Sequence, residues 1–162
     1  MFPQLLLNLA QSVLVEAREK GLRIATAESC TGGLIAALLT EIPGSSDVLE
    51  RGFVVYSNRA KTDLLGVPTI LIDDQGAVSE AVARAMAEGA VERSDAQFAV
   101  AVTGIAGPGG GTALKPVGLV HIAATRQGHA ILHEAHRFGH IGRSEIRLQS
   151  AEAALRLLRR LL

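Results

Sequence analysis

The sequence predicts a single α/β domain over residues 1–162, an α/β/α-type sandwich around a mixed β-sheet with a late β-hairpin. Two observations predict this fold class. Short apolar runs alternate with helix-like segments early in the chain, and two strand-like runs joined at Arg126-Gln127-Gly128 come late in it. With 162 residues, the chain is long enough for one domain with a hydrophobic core. Aromatic residues make up only 3% of it, so Ala, Leu, Val and Ile must build that core.

The first half of the chain contains two predicted strands with helices around them. An N-terminal helix carries its apolar residues on one face and is expected to end at Gly21. A buried strand is expected at 22–27, followed by a helix at 32–40. A second strand is expected at 52–57, and a short polar helix at 58–66.

The second half supplies the remaining elements. Ser79 opens an amphipathic helix, and a third strand at 97–104 runs into a glycine-rich loop. The strands at 117–125 and 129–138 form the predicted hairpin. The last helix begins near Gly142. Strands and helices that alternate before a hairpin predict a mixed sheet.

Composition narrows the range of partners. The chain carries 16 Lys and Arg against 16 Asp and Glu, so we expect no broad nucleic-acid surface. No apolar run approaches the roughly 18 residues of a membrane span, and the N-terminus lacks a signal-peptide pattern. The single cysteine, Cys30, cannot form an internal disulfide. We therefore expect a cytoplasmic protein without a membrane partner. Its apolar terminal helices suit a homo-oligomer interface, although core burial explains them equally well.

The stretch TAESCTGG at 26–33 links the first strand to the following helix and has two interpretations. In one, Ser29 or Thr31 caps that helix with its hydroxyl. In the other, Ser29 is a nucleophile, and backbone N–H groups at the helix start stabilise its oxyanion. Gly32 and Gly33 would let a substrate approach the backbone closely.

Three further residues bear on nucleophilic chemistry. Cys30 is a rival nucleophile, because a helix N-terminus favours the thiolate, although free cysteines are usually small buried hydrophobes. A serine needs a base, and the candidates are Tyr56 and Lys61, of which Lys61 would act directly or through Tyr56 if it is desolvated enough to be partly neutral. Tyr56 ends a predicted strand close by in sequence. The alternatives are a solvated helix face for Lys61 and a half-buried strand-end side chain for Tyr56.

The loop TGIAGPGGG at 103–111 follows a strand and can fold its backbone around an anion. It is neither a Walker loop nor a dinucleotide fingerprint, because no G-K-[ST] follows and a strand comes next in place of a helix. Thr112 and Lys115 would suit a phosphate. The alternative is a flexible surface turn.

Two further groups of side chains bear on anion and metal binding. Arg143 and Arg147 share one face of the last helix and could clamp a phosphate or carboxylate, or else form a solvated face. The histidines offer no metal-ligand spacing in a loop, so we expect exposed hairpin positions and no metal site. They are His121, His129, His133, His136 and His140.

In combination these motifs resemble the C-terminal domain of the competence/damage-inducible CinA family, the nicotinamide-nucleotide amidohydrolases. The resemblance covers nearly the whole chain, and its first and fourth segments are the most specific. The N-terminal molybdopterin-binding-like domain of two-domain members has no counterpart in residues 1–162, so we expect the stand-alone form. The matching segments are 26–33, 43–67, 76–83, 101–112 and 115–123.

The resemblance implies an amidase that hydrolyses nicotinamide mononucleotide to nicotinate mononucleotide and ammonia in NAD recycling, with no metal or organic cofactor. By motif, Ser29 is the nucleophile, and Tyr56 and Lys61 complete the catalytic group. The substrate-side residues are Glu28, Cys30, Thr31, Gly32, Gly33, Thr103, Gly104, Gly107, Gly109, Gly110, Lys115 and Arg143.

One departure from the family pattern concerns the last helix. The family usually has Gly-Asp-Arg before this helix, where the chain has Ile141-Gly142-Arg143, which leaves the role of Arg143 open. The family also contains members with little or no deamidase activity. The alternative function is therefore a non-catalytic nucleotide-binding module linked to competence or DNA damage.

Overall fold

The computed structural model describes all residues, 1–162. The strands are Ile24–Glu28 (β1), Leu49–Val54 (β2), Phe98–Gly104 (β3), Leu119–Arg126 (β4) and Leu132–Arg137 (β5). The helices are Gln4–Glu19 (α1), Leu34–Thr40 (α2), Asn58–Leu65 (α3), Thr69–Gln75 (α4), Glu80–Glu92 (α5) and Arg143–Arg159 (α6), with a 3₁₀ turn at Ser45–Asp47.

The five strands form one mixed sheet in the order β2-β1-β3-β4-β5. β1 pairs in parallel with both β2 and β3. β4 pairs antiparallel with β3 on one side and with β5 on the other. The predicted α/β class, the mixed sheet and the late hairpin are therefore confirmed. Both parallel pairs end at Glu28 of β1, so the chain segments that leave this edge converge above it.

Helices cover both faces of the sheet, and the two faces differ in side-chain size. One core cluster lies beneath α1, α2 and α6, and the second lies beneath α3, α4 and α5. The central strands present larger side chains to the first cluster, among them Ile24, Val100 and Val102. They present alanines to the second, at positions 25, 27, 99 and 101. Small side chains let α5 pack closely on the sheet.

α3 is held against α5 by a glycine contact. A Cβ atom at Gly89 of α5 would overlap the backbone carbonyl of Leu65 at the end of α3. α3 begins at a capped turn, where the hydroxyl of Ser57 accepts a hydrogen bond of 3.0 Å from the backbone N–H of Ala60. These two contacts fix the helix that carries Lys61.

The apolar faces of the terminal helices are buried within the chain. Leu14 of α1 and Leu155 of α6 belong to the same core cluster and are almost fully buried. Core burial is therefore sufficient to explain these apolar faces. None of the helices combines the length and the apolar character needed to cross a membrane.

Two local predictions differ from the structure. β2 spans Leu49–Val54 and not 52–57, because it is an edge strand paired only with β1 and ends where β1 ends. The helix Thr69–Gln75 was not predicted. It is short and buries only Ile72, so its apolar periodicity is too weak to indicate a helix.

Candidate active site

A cavity of about 290 Å³ lies at the edge of the sheet where β1 and β3 end. In parallel sheets, ligands bind outside the carboxyl ends of the strands. The structure brings ten of the predicted site residues to this cavity: Ser29, Cys30, Tyr56, Lys61, Thr103, Gly104, Gly107, Gly109, Gly110 and Arg143.

Ser29 directly follows β1 and extends its pairing with β3. Its backbone N–H donates a hydrogen bond of 3.0 Å to the carbonyl of Val102. The residue is 8% exposed and lines the cavity. The sheet therefore holds the Ser29 backbone in place while its hydroxyl faces a space that a small molecule can enter.

Lys61 is the buried partner of this hydroxyl. Its Nζ atom lies 3.1 Å from Ser29 Oγ, 3.1 Å from the carbonyl of Val55 and 3.3 Å from the carbonyl of Tyr56. The side chain is 1% exposed, so the interpretation as a solvated helix face is wrong. All three hydrogen-bond partners are neutral, and burial lowers the pKa of the Lys61 amine.

Tyr56 reaches the cavity from its rim. It lies beyond the end of β2 and is 58% exposed, so it is not the half-buried strand-end residue of the alternative interpretation. Its hydroxyl accepts a hydrogen bond of 3.0 Å from Arg143. Toward Lys61 it offers its backbone carbonyl. The direct contact between Lys61 and Ser29 therefore needs no relay through the phenol.

Arg143, the first residue of α6, joins two walls of the cavity. It donates a hydrogen bond of 2.7 Å to the carbonyl of Gly107 as well as the bond to Tyr56. Gly142 stands where the family usually has an aspartate. Its φ of 100° is a conformation that disfavours any residue with a Cβ. Arg143 reaches the cavity without an acidic neighbour in the preceding position.

Cys30 is unsuited to act as the nucleophile. The residue is 6% exposed, and burial raises the pKa of its thiol to about 12. Because only the thiolate is strongly nucleophilic, this environment keeps the sulfur unreactive near neutral pH. The geometry at the cavity therefore favours Ser29.

Glu28 caps α2. The sequence predicted a hydroxyl cap from Ser29 or Thr31 and an anion site at the start of this helix, and both expectations are wrong. Its buried carboxylate accepts hydrogen bonds of 3.1, 3.0 and 2.9 Å from the backbone N–H groups of Gly33, Ile35 and Ala36. No hydroxyl caps α2, and the Thr31 hydroxyl is buried without a partner. The helix start cannot serve as the anion site, because Glu28 already uses its N–H groups. Glu28 itself lies outside the cavity lining.

Free backbone donors remain elsewhere in the site. The N–H groups of Cys30 and Thr31 donate no hydrogen bond within the protein. In the glycine loop the same holds at 106, 107 and 109–111. Gly107 and Gly110 have φ angles of 74° and 85°, which turn this loop back on itself. Consecutive unpaired N–H groups are typical of anion-binding loops.

The remaining predicted substrate residues do not line the cavity. Thr31, Gly32 and Gly33 lie in the turn behind it. Lys115 donates a hydrogen bond of 2.7 Å to the carbonyl of Gln75, so its ammonium group is bonded to the end of α4 and not aimed at the site. Gly33 instead donates its N–H to the Glu28 carboxylate, and Lys115 bonds to α4, whereas the backbone N–H of Thr31 remains free.

Asn58 is a cavity residue that the sequence did not single out. It is the first residue of α3 and lies at the mouth of the cavity. Its position two residues after Tyr56, at the start of the predicted polar helix, was the available signal. The other lining residues that were missed are the apolar Ala77, Val78, Ile105 and Ala106.

Two of the histidines form a pair away from the cavity. His121 Nδ1 lies 3.0 Å from His133 Nε2, and His133 faces Glu80 of α5 at 3.6 Å. Both rings are partly buried, and burial lowers the pKa of each. The expectation of exposed positions is therefore wrong for these two and for His136, whose side chain is 27% exposed, whereas His129 and His140 are exposed. The structure contains no group of three or more His, Cys, Asp or Glu side chains arranged for a metal.

The sequence model of the CinA C-terminal domain matches residues 6–162. The chain belongs to this family. It is 58% identical over 116 residues to a CinA-like protein of Akkermansia muciniphila, covering 72% of this chain and 28% of that protein. It is 56% identical over 142 residues to a CinA-like protein of Mycolicibacterium vanbaalenii, covering 88% and 33%. The chain thus spans about a third of these relatives.

Solved structures show the same fold. The competence/damage inducible protein CihA from Agrobacterium tumefaciens has a TM-score of 0.98 at 55% identity, covering 99% of this chain and 98% of that one. A competence-damaged protein (CinA) superfamily protein from Escherichia coli has a TM-score of 0.92 at 32% identity, covering 100% and 94%. The five-stranded α/β fold is therefore that of CinA-family structures.

Proposed function

We propose that this protein hydrolyses the carboxamide of nicotinamide mononucleotide to nicotinate mononucleotide and ammonia, which would return a product of NAD consumption to NAD synthesis. The observation that carries the proposal is the 3.1 Å contact between Lys61 Nζ and Ser29 Oγ. A buried lysine with neutral partners and a lowered pKa is suited to remove a proton from a serine hydroxyl. The choice of substrate rests on what the resemblance of the motifs to the CinA family implies, and the chain's membership of that family is consistent with it.

Acylation would begin with neutral Lys61 taking the hydroxyl proton of Ser29. The Ser29 oxygen then forms a bond to the amide carbon, and the carbonyl oxygen becomes an oxyanion. The residues that directly follow Ser29, Cys30 and Thr31, have free backbone N–H groups, and these would donate hydrogen bonds to the oxyanion. When the C–N bond breaks, Lys61 returns the proton to the nitrogen, which leaves as ammonia.

Deacylation would use the same lysine. Lys61, neutral again, takes a proton from a water molecule, whose oxygen attacks the ester carbon of acylated Ser29. The ester bond breaks, and Lys61 returns the proton to the Ser29 oxygen. Nicotinate mononucleotide is released as the carboxylic acid, which loses its remaining proton to solvent and becomes the carboxylate. The two half-reactions together consume one water and regenerate the free enzyme.

The glycine loop and Arg143 would bind the nucleotide phosphate. The loop offers unpaired N–H groups, and the Arg143 guanidinium lies at the same rim, bonded to Gly107. Backbone donors beside an arginine are a common combination for phosphate oxygens. A substrate of this kind would place the protein in the cytoplasm.

A non-catalytic nucleotide-binding module linked to competence or DNA damage is the second candidate. The name of the Agrobacterium relative, competence/damage inducible protein, favours it. The glycine loop could bind a phosphate without any reaction. This candidate leaves the buried contact between Lys61 and Ser29 without a role, which is why we rank it second.

The test is product formation from nicotinamide mononucleotide by the purified protein and by Ser29→Ala. We expect ammonia and nicotinate mononucleotide from the parent and none from the variant. Ser46→Ala removes an exposed hydroxyl outside the cavity and should keep full activity. Full activity in Ser29→Ala would overturn the serine mechanism. If the nucleotide raises the melting temperature without turnover in any variant, the binding module is the better description.

A further inference from the structure

A chain of hydrogen-bonded peptide groups runs from Arg147 to the turn that carries Ser29. The Arg147 guanidinium donates a hydrogen bond of 2.8 Å to the carbonyl of Thr31. The same peptide group contains the N–H of Gly32, which donates a hydrogen bond of 3.0 Å to the carbonyl of Ser29. That second peptide group contains the N–H of Cys30, which has no partner in the protein.

Such a chain changes the strength of its last donor. A hydrogen bond accepted by a peptide carbonyl polarises the peptide group and makes its own N–H a stronger donor. Two groups polarised in series therefore carry the effect of the Arg147 charge to the Cys30 N–H. A positive charge at the start of the chain polarises it more than a neutral donor would.

Burial of this region preserves the effect. Thr31 is fully buried, Cys30 is 6% exposed, and Arg147 is half-buried with its Nε atom inaccessible to solvent. Water screens the chain little in these surroundings. The hydrogen bond to the Thr31 carbonyl brings the Arg147 charge into direct contact with this buried turn.

The role of Arg147 differs from that of its neighbour Arg143 on the same face of α6. Arg143 bonds to Gly107 and Tyr56 at the mouth of the cavity, whereas Arg147 bonds to the turn behind Ser29 and does not line the cavity. The contact that Arg147 makes with the site is therefore the one with this turn.

We propose that Arg147 is a positioning residue that fixes the turn after Ser29 and polarises the Cys30 N–H as the oxyanion donor. The inference rests on the proposed amide hydrolysis at Ser29. Its effect belongs to the transition state, because charge develops on the carbonyl oxygen only during the reaction.

The test is the kinetics of Arg147→Met and Arg147→Lys with nicotinamide mononucleotide. Met keeps an unbranched apolar side chain and removes both the charge and the donor. We expect kcat to fall about 10- to 100-fold. This fall does not exceed the decrease in kcat of about 10²- to 10³-fold that removal of a whole oxyanion donor causes. We expect KM to change less than about two-fold. Lys restores a charged donor, so we expect Arg147→Lys to recover at least about half of the loss on a logarithmic scale.

Arg156→Met is the matched control. Arg156 lies on the same helix and pairs with Glu152 at the surface, so its loss should leave both constants unchanged. Unchanged kcat in Arg147→Met would overturn the inference, and so would equal loss in Arg147→Met and Arg147→Lys. If Arg147→Met fails to fold, Arg147→Lys decides alone, because a kcat within about ten-fold of the parent supports the charged-donor role and a larger loss opposes it. A parent without turnover would overturn the proposed function itself.

Discussion

Lys61 Nζ lies 3.1 Å from Ser29 Oγ, although the two residues are 32 positions apart in the sequence. α3 delivers the lysine from one side of β1, and the turn after β1 delivers the serine. The remaining hydrogen bonds of the amine go to the carbonyls of Val55 and Tyr56, so no carboxylate stabilises its protonated form. This arrangement favours the neutral amine that a general base must be.

The pH dependence of the reaction tests this base. Burial lowers the pKa of Lys61, and only the neutral amine accepts the Ser29 proton. We therefore expect kcat/KM to rise with pH and to reach a plateau below pH 10.5, the ordinary value for lysine. Steady-state rates of ammonia release across this range would measure it.

Lys61→Met and Lys61→Arg provide the control for this profile. Methionine has no basic group, and arginine stays protonated at every accessible pH. Neither can accept the Ser29 proton, so both variants should lose activity by about 10²- to 10⁴-fold. A profile that does not change with pH, or an active Lys61→Arg, would contradict a base role for Lys61.

Cys30→Ala should retain activity within about three-fold of the parent, because the substitution keeps the backbone N–H and removes a thiol that is not ionised. Initial rates with nicotinamide mononucleotide would check it. We also expect iodoacetamide to modify the parent slowly, since the thiol is buried. Loss of turnover in Cys30→Ala, with an unchanged melting temperature, would make the thiol the better nucleophile.

Glu28→Gln should destabilise the fold by about 1–3 kcal/mol, because the amide cannot replace all three carboxylate hydrogen bonds to the start of α2. Denaturant unfolding would measure the change. Glu152→Gln is the control, since its surface pair with Arg156 is expected to contribute about 0.3–0.5 kcal/mol. Equal effects of the two substitutions would show that Glu28 is not a cap of this strength.

Arg143→Met should raise KM for nicotinamide mononucleotide about ten-fold, the cost of one charge-assisted hydrogen bond of about 1.5 kcal/mol. The unphosphorylated nucleoside, nicotinamide riboside, should show no such rise. Arg59→Met removes an exposed arginine outside the cavity and serves as the control. A similar rise with both substrates would assign Arg143 to the walls of the cavity and not to the phosphate.

The sequence by itself determined the class of the fold and the identity of its main elements. Periodic apolar positions predicted α1 and α5, and apolar runs predicted the central strands, because local burial patterns reflect the geometry of each element. The motif segments also predicted most of the cavity lining, since strand ends and their following loops meet at one edge of a parallel sheet. Ser29, Lys61 and the glycine loop could be named in this way.

Only the tertiary structure decided which of these groups touch. The contact of Lys61 with Ser29 and that of Arg147 with Thr31 join residues 32 and 116 positions apart, which no local pattern reports. The same holds for Glu28, whose carboxylate takes the helix cap that the hydroxyls were expected to form. Side-chain partners depend on how helices pack across the sheet, and that packing is set by the whole core.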